Sequence, residues 1–138
     1  MIDLNSAFGK RAARRLEEED IIWLTTVDRH GNPQPRPVWF LWEAGSILIF
    51  SQQDAYKVSH IRNNPRVSLN LDSARNGEDI VVLLGKAEIS KSPVPQAVLD
   101  KYLVKYRLGL EMIDMTQDQF VRDYNLAIII SPEALRGY

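Results

Sequence analysis

The chain of 138 residues contains no cysteine, which excludes disulfides, thiolate metal sites and a cysteine nucleophile. Net charge is nearly absent as well: 17 lysines and arginines stand against 18 aspartates and glutamates, a formal −1. No global positive field therefore gathers nucleic acid or an anionic membrane. No segment approaches the roughly 18 consecutive apolar residues of a membrane span. The N-terminal "MIDLNSAFGKRAARRLEEED" lacks an apolar core of signal-peptide length, so a cytoplasmic location is the default expectation. Glycine-rich βαβ patterns are missing, which argues against a Rossmann nucleotide site.

What is there reads as one ordinary domain over residues 1–138, 45% hydrophobic and 25% charged, large enough for a real core. Linkers, repeats and low-complexity tracts are absent. Ser6 to Glu18 suits a helix, with Phe8, Ala12 and Leu16 at four-residue spacing and Asn5 or Ser6 as its cap. "IIWLTTV" (Ile21 to Val27) is a β-branched strand, "DRHGNP" is turn chemistry, and a proline-led stretch returns as a second strand. "EAGS" turns into a third strand, Ile47 to Ser51. A short helix follows, with Val58 and Ile61 on one face, Asp54 as a candidate cap and Asn64–Pro65 as its stop. "RVSLNL" and "IVVLLGKAEI" are strands four and five. Val94, Val98 and Tyr102, with Leu99, Leu103 and Tyr106, form one apolar helical face, and Thr116 to Gln119 matches a capping box. "LAIIIS" (Leu126 to Ser131) is the last strand. Six strands with short connections predict a mainly β, α+β fold: an antiparallel sheet curled into a barrel, with flanking helices.

The stretch "GNPQPRPVWFLWE" poses a specific problem. Proline occupies positions 33, 35 and 37, and residues two apart in a strand aim their N–H groups to the same side. Proline donates none, so one flank of this strand cannot be centrally paired. Either it is an edge strand defended against aggregation, or a ligand lies along that flank. Ser51, Lys57 and Arg36 add a hydroxyl, an ammonium and a guanidinium that could converge on a phosphate at a helix N-terminus. Taken singly, each is more often a turn residue or a solvated cation. Asp54, if it caps that helix, competes for the same N–H groups.

With those residues in view, the chain resembles the pyridoxamine 5′-phosphate oxidase-like superfamily of split β-barrel flavin-binding proteins, and more closely its branch using the deazaflavin coenzyme F420. The resemblance is carried by "IIWLTTVDRHGNPQPRPVWFLWE", "ILIFSQQDAYKVSHIRNNPRVSLNL", "DIVVLLGKAEI" and "LRGY", four pieces in order over nearly the whole chain. It implies a six-stranded split barrel working as a homodimer, with cofactor in clefts between subunits. Arg36, Pro37, Val38, Trp39, Phe40 and Leu41 match the strand along the cofactor ring. Phe50 and Ser51 match the pair that follows, and Tyr56 and Lys57 fall where flavin mononucleotide (FMN) oxidases carry a basic pair, of which only Lys57 is retained. Ile80 aligns where those oxidases carry a glutamine. Both departures weaken the case for a true pyridoxamine phosphate oxidase.

The implied function is hydride transfer from reduced coenzyme F420 to a small organic substrate. The alternatives are the same fold using FMN, or a cofactor-binding protein without turnover. No catalytic cluster announces itself, as expected where the cofactor carries the chemistry. Ser51 has no obvious histidine base, and His30 and His60 have no neighbouring ligands for a metal. Trp23 and Trp39 read as core or interface residues, and Trp42 as packing or a cleft wall. The basic, amphipathic "KYLVKYRLG" reads as a helix docked on the barrel; near-neutral charge and the proline strand argue against a nucleic-acid surface.

Overall fold

The computed structural model describes residues 2–138. Helix α1 (Ala7–Glu18) leads into strands β1 (Ile22–Val27), β2 (Pro33–Val38), β3 (Leu41–Glu43) and β4 (Ser46–Ser51). Helix α2 (Tyr56–Asn63) precedes β5 (Arg66–Asn70) and β6 (Val81–Ile89). Helices α3 (Gln96–Lys105), α4 (Arg107–Met112) and α5 (Gln117–Asp123) come before the long closing strand β7 (Leu126–Gly137). All strand neighbours are antiparallel, in the order β2-β1-β5-β6-β7-β4-β3. The sheet curls into a split half-barrel with helices flanking it, the α+β class that the pattern of apolar residues predicts.

Sequence periodicity explains which faces are buried. β1 alternates strictly, Ile22, Leu24 and Thr26 pointing inward. β4 does not alternate because both of its faces are covered. Ile47 and Ile49 enter the barrel core with Leu16, Leu69 and Ile128. Leu48 and Phe50 face a second cluster built by Tyr102, Leu103, Tyr106, Leu110 and Phe120 from the three-helix segment. Each such fully buried side chain stabilises the fold by about 1.5–3 kcal/mol. Where β6 meets β7 the register shifts at Leu84/Gly85. A Cβ on Gly85 would lie 2.3 Å from the Ser131 carbonyl oxygen, so only glycine fits there.

The helix ends follow their sequence signals in two places. Ser6 caps α1, its hydroxyl accepting from Gly9 N–H at 2.9 Å. Thr116 and Gln119 form the expected capping box on α5. Asp54 does not cap α2: Ala55 occupies the cap position with no side-chain hydrogen bond.

Three further differences have physical causes. β7 continues six residues past Ser131, because β6 pairs along it from Ile128 to Gly137 whereas β4 pairs with its first half alone. The helical face ending at Tyr106 is followed by a separate short helix, α4, which the sequence pattern did not reveal. Most consequentially, the strand starting at Pro33 stops at Val38 and restarts at Leu41, which makes seven strands instead of six. At the break, Phe40 is fully buried, and its backbone is served by side chains rather than by a neighbouring strand. The Tyr106 hydroxyl accepts from Phe40 N–H at 2.8 Å and has the Asp20 carbonyl at 2.7 Å for its own proton. Lys105 Nζ donates to the Phe40 carbonyl at 2.8 Å and lies 3.9 Å from the Phe40 ring centroid.

Tyr106→Phe keeps the ring but orphans a buried N–H, whose unsatisfied burial costs about 1–3 kcal/mol. Urea denaturation should show a loss of that size. An unchanged midpoint would mean that something other than Tyr106 serves the Phe40 backbone.

Candidate functional site

Strand β2 lies at one end of the sheet and pairs with β1 alone, matching Pro33 to Val27, Pro35 to Thr25 and Pro37 to Trp23. The prolines thus fall on the strand's only unpaired flank, where no ladder donor is required. The alternate residues Gln34, Arg36 and Val38 stand opposite Thr26, Leu24 and Ile22 and so share the face that α2 overlies. The turn into β2 is fixed by Asp28, whose carboxylate accepts from the His30 and Asn32 N–H groups at 2.9 Å and from the Gln34 side chain at 3.2 Å. Those bonds, the Asn32 backbone bond foremost, hold the Asp28 carboxyl below its ordinary value.

Between this face and the first turn of α2 lies a cavity of about 550 Å³, lined by Thr26, Gln34, Arg36, Val38, Lys57 and His60 among others. Its lining includes no carboxylate. Burial lowers the Lys57 pKa from its ordinary value, and the nearby Arg36 guanidinium lowers it further. Among the described residues neither cation makes an ion pair; Arg36 donates only to the Pro35 carbonyl, at 2.8 Å. His60 Nδ1 is 2.8 Å from the hydroxyl of buried Thr26, which ties α2 to β1 at the cavity floor. No side chain caps α2; the Val58 N–H donates to the Ala55 carbonyl at 3.0 Å, whereas those of Tyr56 and Lys57 have no partner among the described residues. Two cations without an acid, beside an uncapped helix start, suit an anionic group such as a phosphate.

A smaller cavity of about 310 Å³ adjoins it and shares Pro37, Val38 and Lys57. Its other walls are largely aromatic: Trp39, Phe50, Tyr102, Phe120 and Tyr124. The resemblance had pointed to ten residues. Arg36, Pro37, Val38, Tyr56 and Lys57 line the larger cavity, and Trp39 and Phe50 line the smaller.

Phe40, Leu41 and Ser51 line neither cavity. Phe40 lies in the barrel core at 0% exposure, Leu41 packs in the second cluster, and Ser51 is buried with its hydroxyl donated to the Gln52 carbonyl at 2.8 Å. For Phe40 and Leu41 the chain direction at the Trp39–Phe40 break is decisive, whereas Ser51 points inward as the alternate of Ile47 and Ile49 on β4. Trp42 packs against the barrel core and not at this cleft. The sequence pattern missed Tyr102, Phe120 and Tyr124, whose helical spacing signals only a packed face. Among the described residues no group of three histidines, aspartates or glutamates is arranged to hold a metal.

The sequence profile of one family, pyridoxamine 5′-phosphate oxidase, matches residues 8–123. Among solved structures, an F420 reductase superposes with a TM-score of 0.68 at 23% identity, over 89% of this chain and 94% of that one. A FAD-binding protein from Mesorhizobium loti gives 0.70 at 16%, over 94% and 91%. A heme storage protein from Vibrio cholerae gives 0.67 at 15%, over 93% and 92%. At such identities the likeness establishes the fold alone. No curated protein matches the chain.

Lys57→Ala should weaken binding of FMN, a probe with a simple phosphate, by roughly 1.5–3 kcal/mol, the scale of a charge-assisted hydrogen bond. The pH sign follows from the lowered pKa. Free Lys57 loses its proton at a lower pH than an ordinary lysine, whereas a bound anion favours the ammonium form. Affinity should therefore be full near neutrality and fall as pH is raised toward about 10, with the fall absent in Lys57→Ala. Equal affinity of the folded variant across that range would remove Lys57 from the site.

Proposed function

Because the chain belongs to the pyridoxamine 5′-phosphate oxidase family of split barrels, we propose that it is an oxidoreductase using reduced coenzyme F420 to transfer hydride to a small organic substrate. The observation that carries this reading is the acid-free pair Arg36 and Lys57 beside the uncapped start of α2. Such a pair is costly to hold together and suits the phosphodiester of a bound cofactor. When bound, the reduced deazaflavin supplies a hydride and resists one-electron exchange with oxygen.

The chain's own residues then have limited tasks. Arg36, Lys57 and the first N–H groups of α2 hold the phosphate. Pro37 and Val38, which line both cavities, give the ring an apolar wall, and the donorless flank of β2 leaves room beside it. Phe50 and the helix aromatics exclude water next to the reacting face.

The deazaflavin differs from FMN in a lactyl and oligoglutamyl tail beyond the phosphate. The four cations of α1, Lys10, Arg11, Arg14 and Arg15, form a basic surface suited to that tail, but two of them are engaged elsewhere. Arg11 pairs with Asp79, and Arg15 binds Glu19, Asp79 and the Asp72 carbonyl. Lys10, Arg14 and Arg62 are exposed and are left as the tail's partners. One observation favours the second reading, FMN: Arg36 and Lys57 are the only lysine or arginine side chains on the larger cavity, enough for a compact phosphate.

Parallel fluorescence titrations of apo-protein at low and high salt should give tighter binding of the deazaflavin, with its advantage shrinking as exposed charge pairs are screened. Turnover of reduced cofactor with candidate acceptors then separates an enzyme from a binding protein. Tighter FMN binding at both salt concentrations would move the protein to the second reading.

We also propose a homodimer with cofactor between subunits, because the free flank of β2 and the outward-facing Trp23 beside Pro37 otherwise meet solvent. Light scattering should give a dimer, whose interface of this kind commonly buries about 2,000 Å² or more. A micromolar monomer that still binds cofactor would contradict the shared cleft.

A further inference from the structure

The smaller, aromatic cavity has features that the phosphate-holding role of its neighbour does not use. Its rings are arranged in near-parallel order: Tyr102 and Phe120 have centroids 5.5 Å apart at 20°, and Phe120 and Tyr124 are 4.9 Å apart at 12°. Phe50 meets Tyr102 edge-on at 4.8 Å, and Trp39 closes another side. Trp39 is seated against Gly109, where a Cβ would come within 3.1 Å of its ring, so α4 approaches the indole closely. Flat walls of this kind favour a planar aromatic guest.

Size and charge narrow the guest further. At about 310 Å³ the space suits a bicyclic molecule and is near the lower limit for ligand pockets. The only charged side chain on its walls is Lys57, which is shared with the larger cavity. A neutral guest is therefore favoured over a phosphorylated one.

One polar group on these walls has no partner. Tyr106, one helical turn from Tyr102, satisfies its hydroxyl through Phe40 and Asp20. The Tyr102 hydroxyl makes no hydrogen bond among the described residues, although Tyr102 is only 2% exposed. It is not sealed away either, since among the described residues the only enclosed side-chain polar atom lacking a partner is Asp79 Oδ1. Of the cavities described, the aromatic one alone is lined by Tyr102. Burial raises the Tyr102 pKa, foremost among its causes, so the phenol stays protonated and acts as a donor. A phenol that is open to the cavity and has no protein acceptor is a donor that a ligand can engage.

We propose that this cavity binds the hydride acceptor, and that the acceptor is a neutral, planar aryl carbonyl whose oxygen accepts from the Tyr102 hydroxyl. This deepens the oxidoreductase reading and rests on it, since the shared Pro37, Val38 and Lys57 put the guest beside the cofactor. Tyr102 is a binding and positioning residue here. It orients the carbonyl, and Trp39 and Phe120 hold the ring plane.

The test uses two probes of nearly the same shape, 1-tetralone and tetralin, which differ by the carbonyl. Ligand-observed NMR titrations are run on native protein and Tyr102→Phe, each without cofactor and with saturating FMN or F420. Tetralone should bind native protein about five- to tenfold more tightly than tetralin, the scale of one hydrogen bond. Tyr102→Phe should bind both probes equally and leave tetralin affinity unchanged. Bound cofactor should not exclude tetralone. Equal binding of the two probes to native protein, or a tetralone preference that survives in Tyr102→Phe, would overturn the assignment. Competition between tetralone and cofactor would also overturn it, by putting the ring itself in this cavity. Failure of both cofactors to bind, with tetralone still discriminated on the free protein, would sink the oxidoreductase reading while leaving the aryl-carbonyl pocket intact.

Discussion

The hydrogen bonds that Tyr106 and Lys105 make to Phe40 govern the shape of everything around them. A continuous strand from Pro33 to Glu43 would have to keep one sheet neighbour throughout. Instead the backbone leaves the β1 ladder at Val38 and rejoins the β4 ladder at Leu41. Phe40, between them, would leave buried polar groups bare, and burying an unpaired amide is expensive. The tyrosine and lysine at the α3–α4 junction meet that need. The split in the barrel is therefore held open by side chains from a segment more than sixty residues away.

Several consequences descend from that interruption. β2 is released to the sheet edge, where its prolines cost nothing in pairing. Trp39, at the turn, swings into the helical cluster and stacks on Tyr106 at 4.6 Å and 4°. The same ring sequence continues through Tyr102 and Phe120 to Tyr124, so one aromatic layer serves both as the second core and as the wall of a cavity. The Phe50 side of β4 completes it because β4 is buried on both faces. Core packing and ligand surface are here the same set of rings, which explains why no separate catalytic motif is needed to build the site.

Much of this was legible in the residues. The spacing of Pro33, Pro35 and Pro37 specified an edge with a bare flank, and the structure has that edge. Ser6, Thr116 and Gln119 announced their caps. "ILIF" announced its strand, and its lack of alternation fits the burial of both faces that the structure shows. Other features had no local signal. The break at Trp39–Phe40 depends on a hydroxyl distant in sequence, and "VWFLW" has a high strand propensity across it. Asp54 has the right chemistry for a cap, yet the chain turns one residue later. Tyr102 and Tyr106 share one helical face and are indistinguishable by periodicity. Only the three-dimensional accounting of donors and acceptors separates the tyrosine that is satisfied from the one that is not.

The same accounting, applied to charge, links the two cavities. Arg36 is fixed by a strand edge and Lys57 by the first turn of a helix, so neither can move far from the other. Each would be better solvated apart, and burial already disfavours the Lys57 ammonium. A fold that retains both without an acid keeps an electrostatic cost of its own, and an anion offsets it. The neighbouring cavity has the opposite composition: aromatic walls, one shared cation and one free phenol. Side by side, they divide recognition into a charged part that anchors and an apolar part that selects. Lys57, Pro37 and Val38 form the boundary, so an anionic cofactor and a flat, neutral acceptor on its two sides would be held by different physics. The dividing line is set by the strand that the prolines keep unpaired.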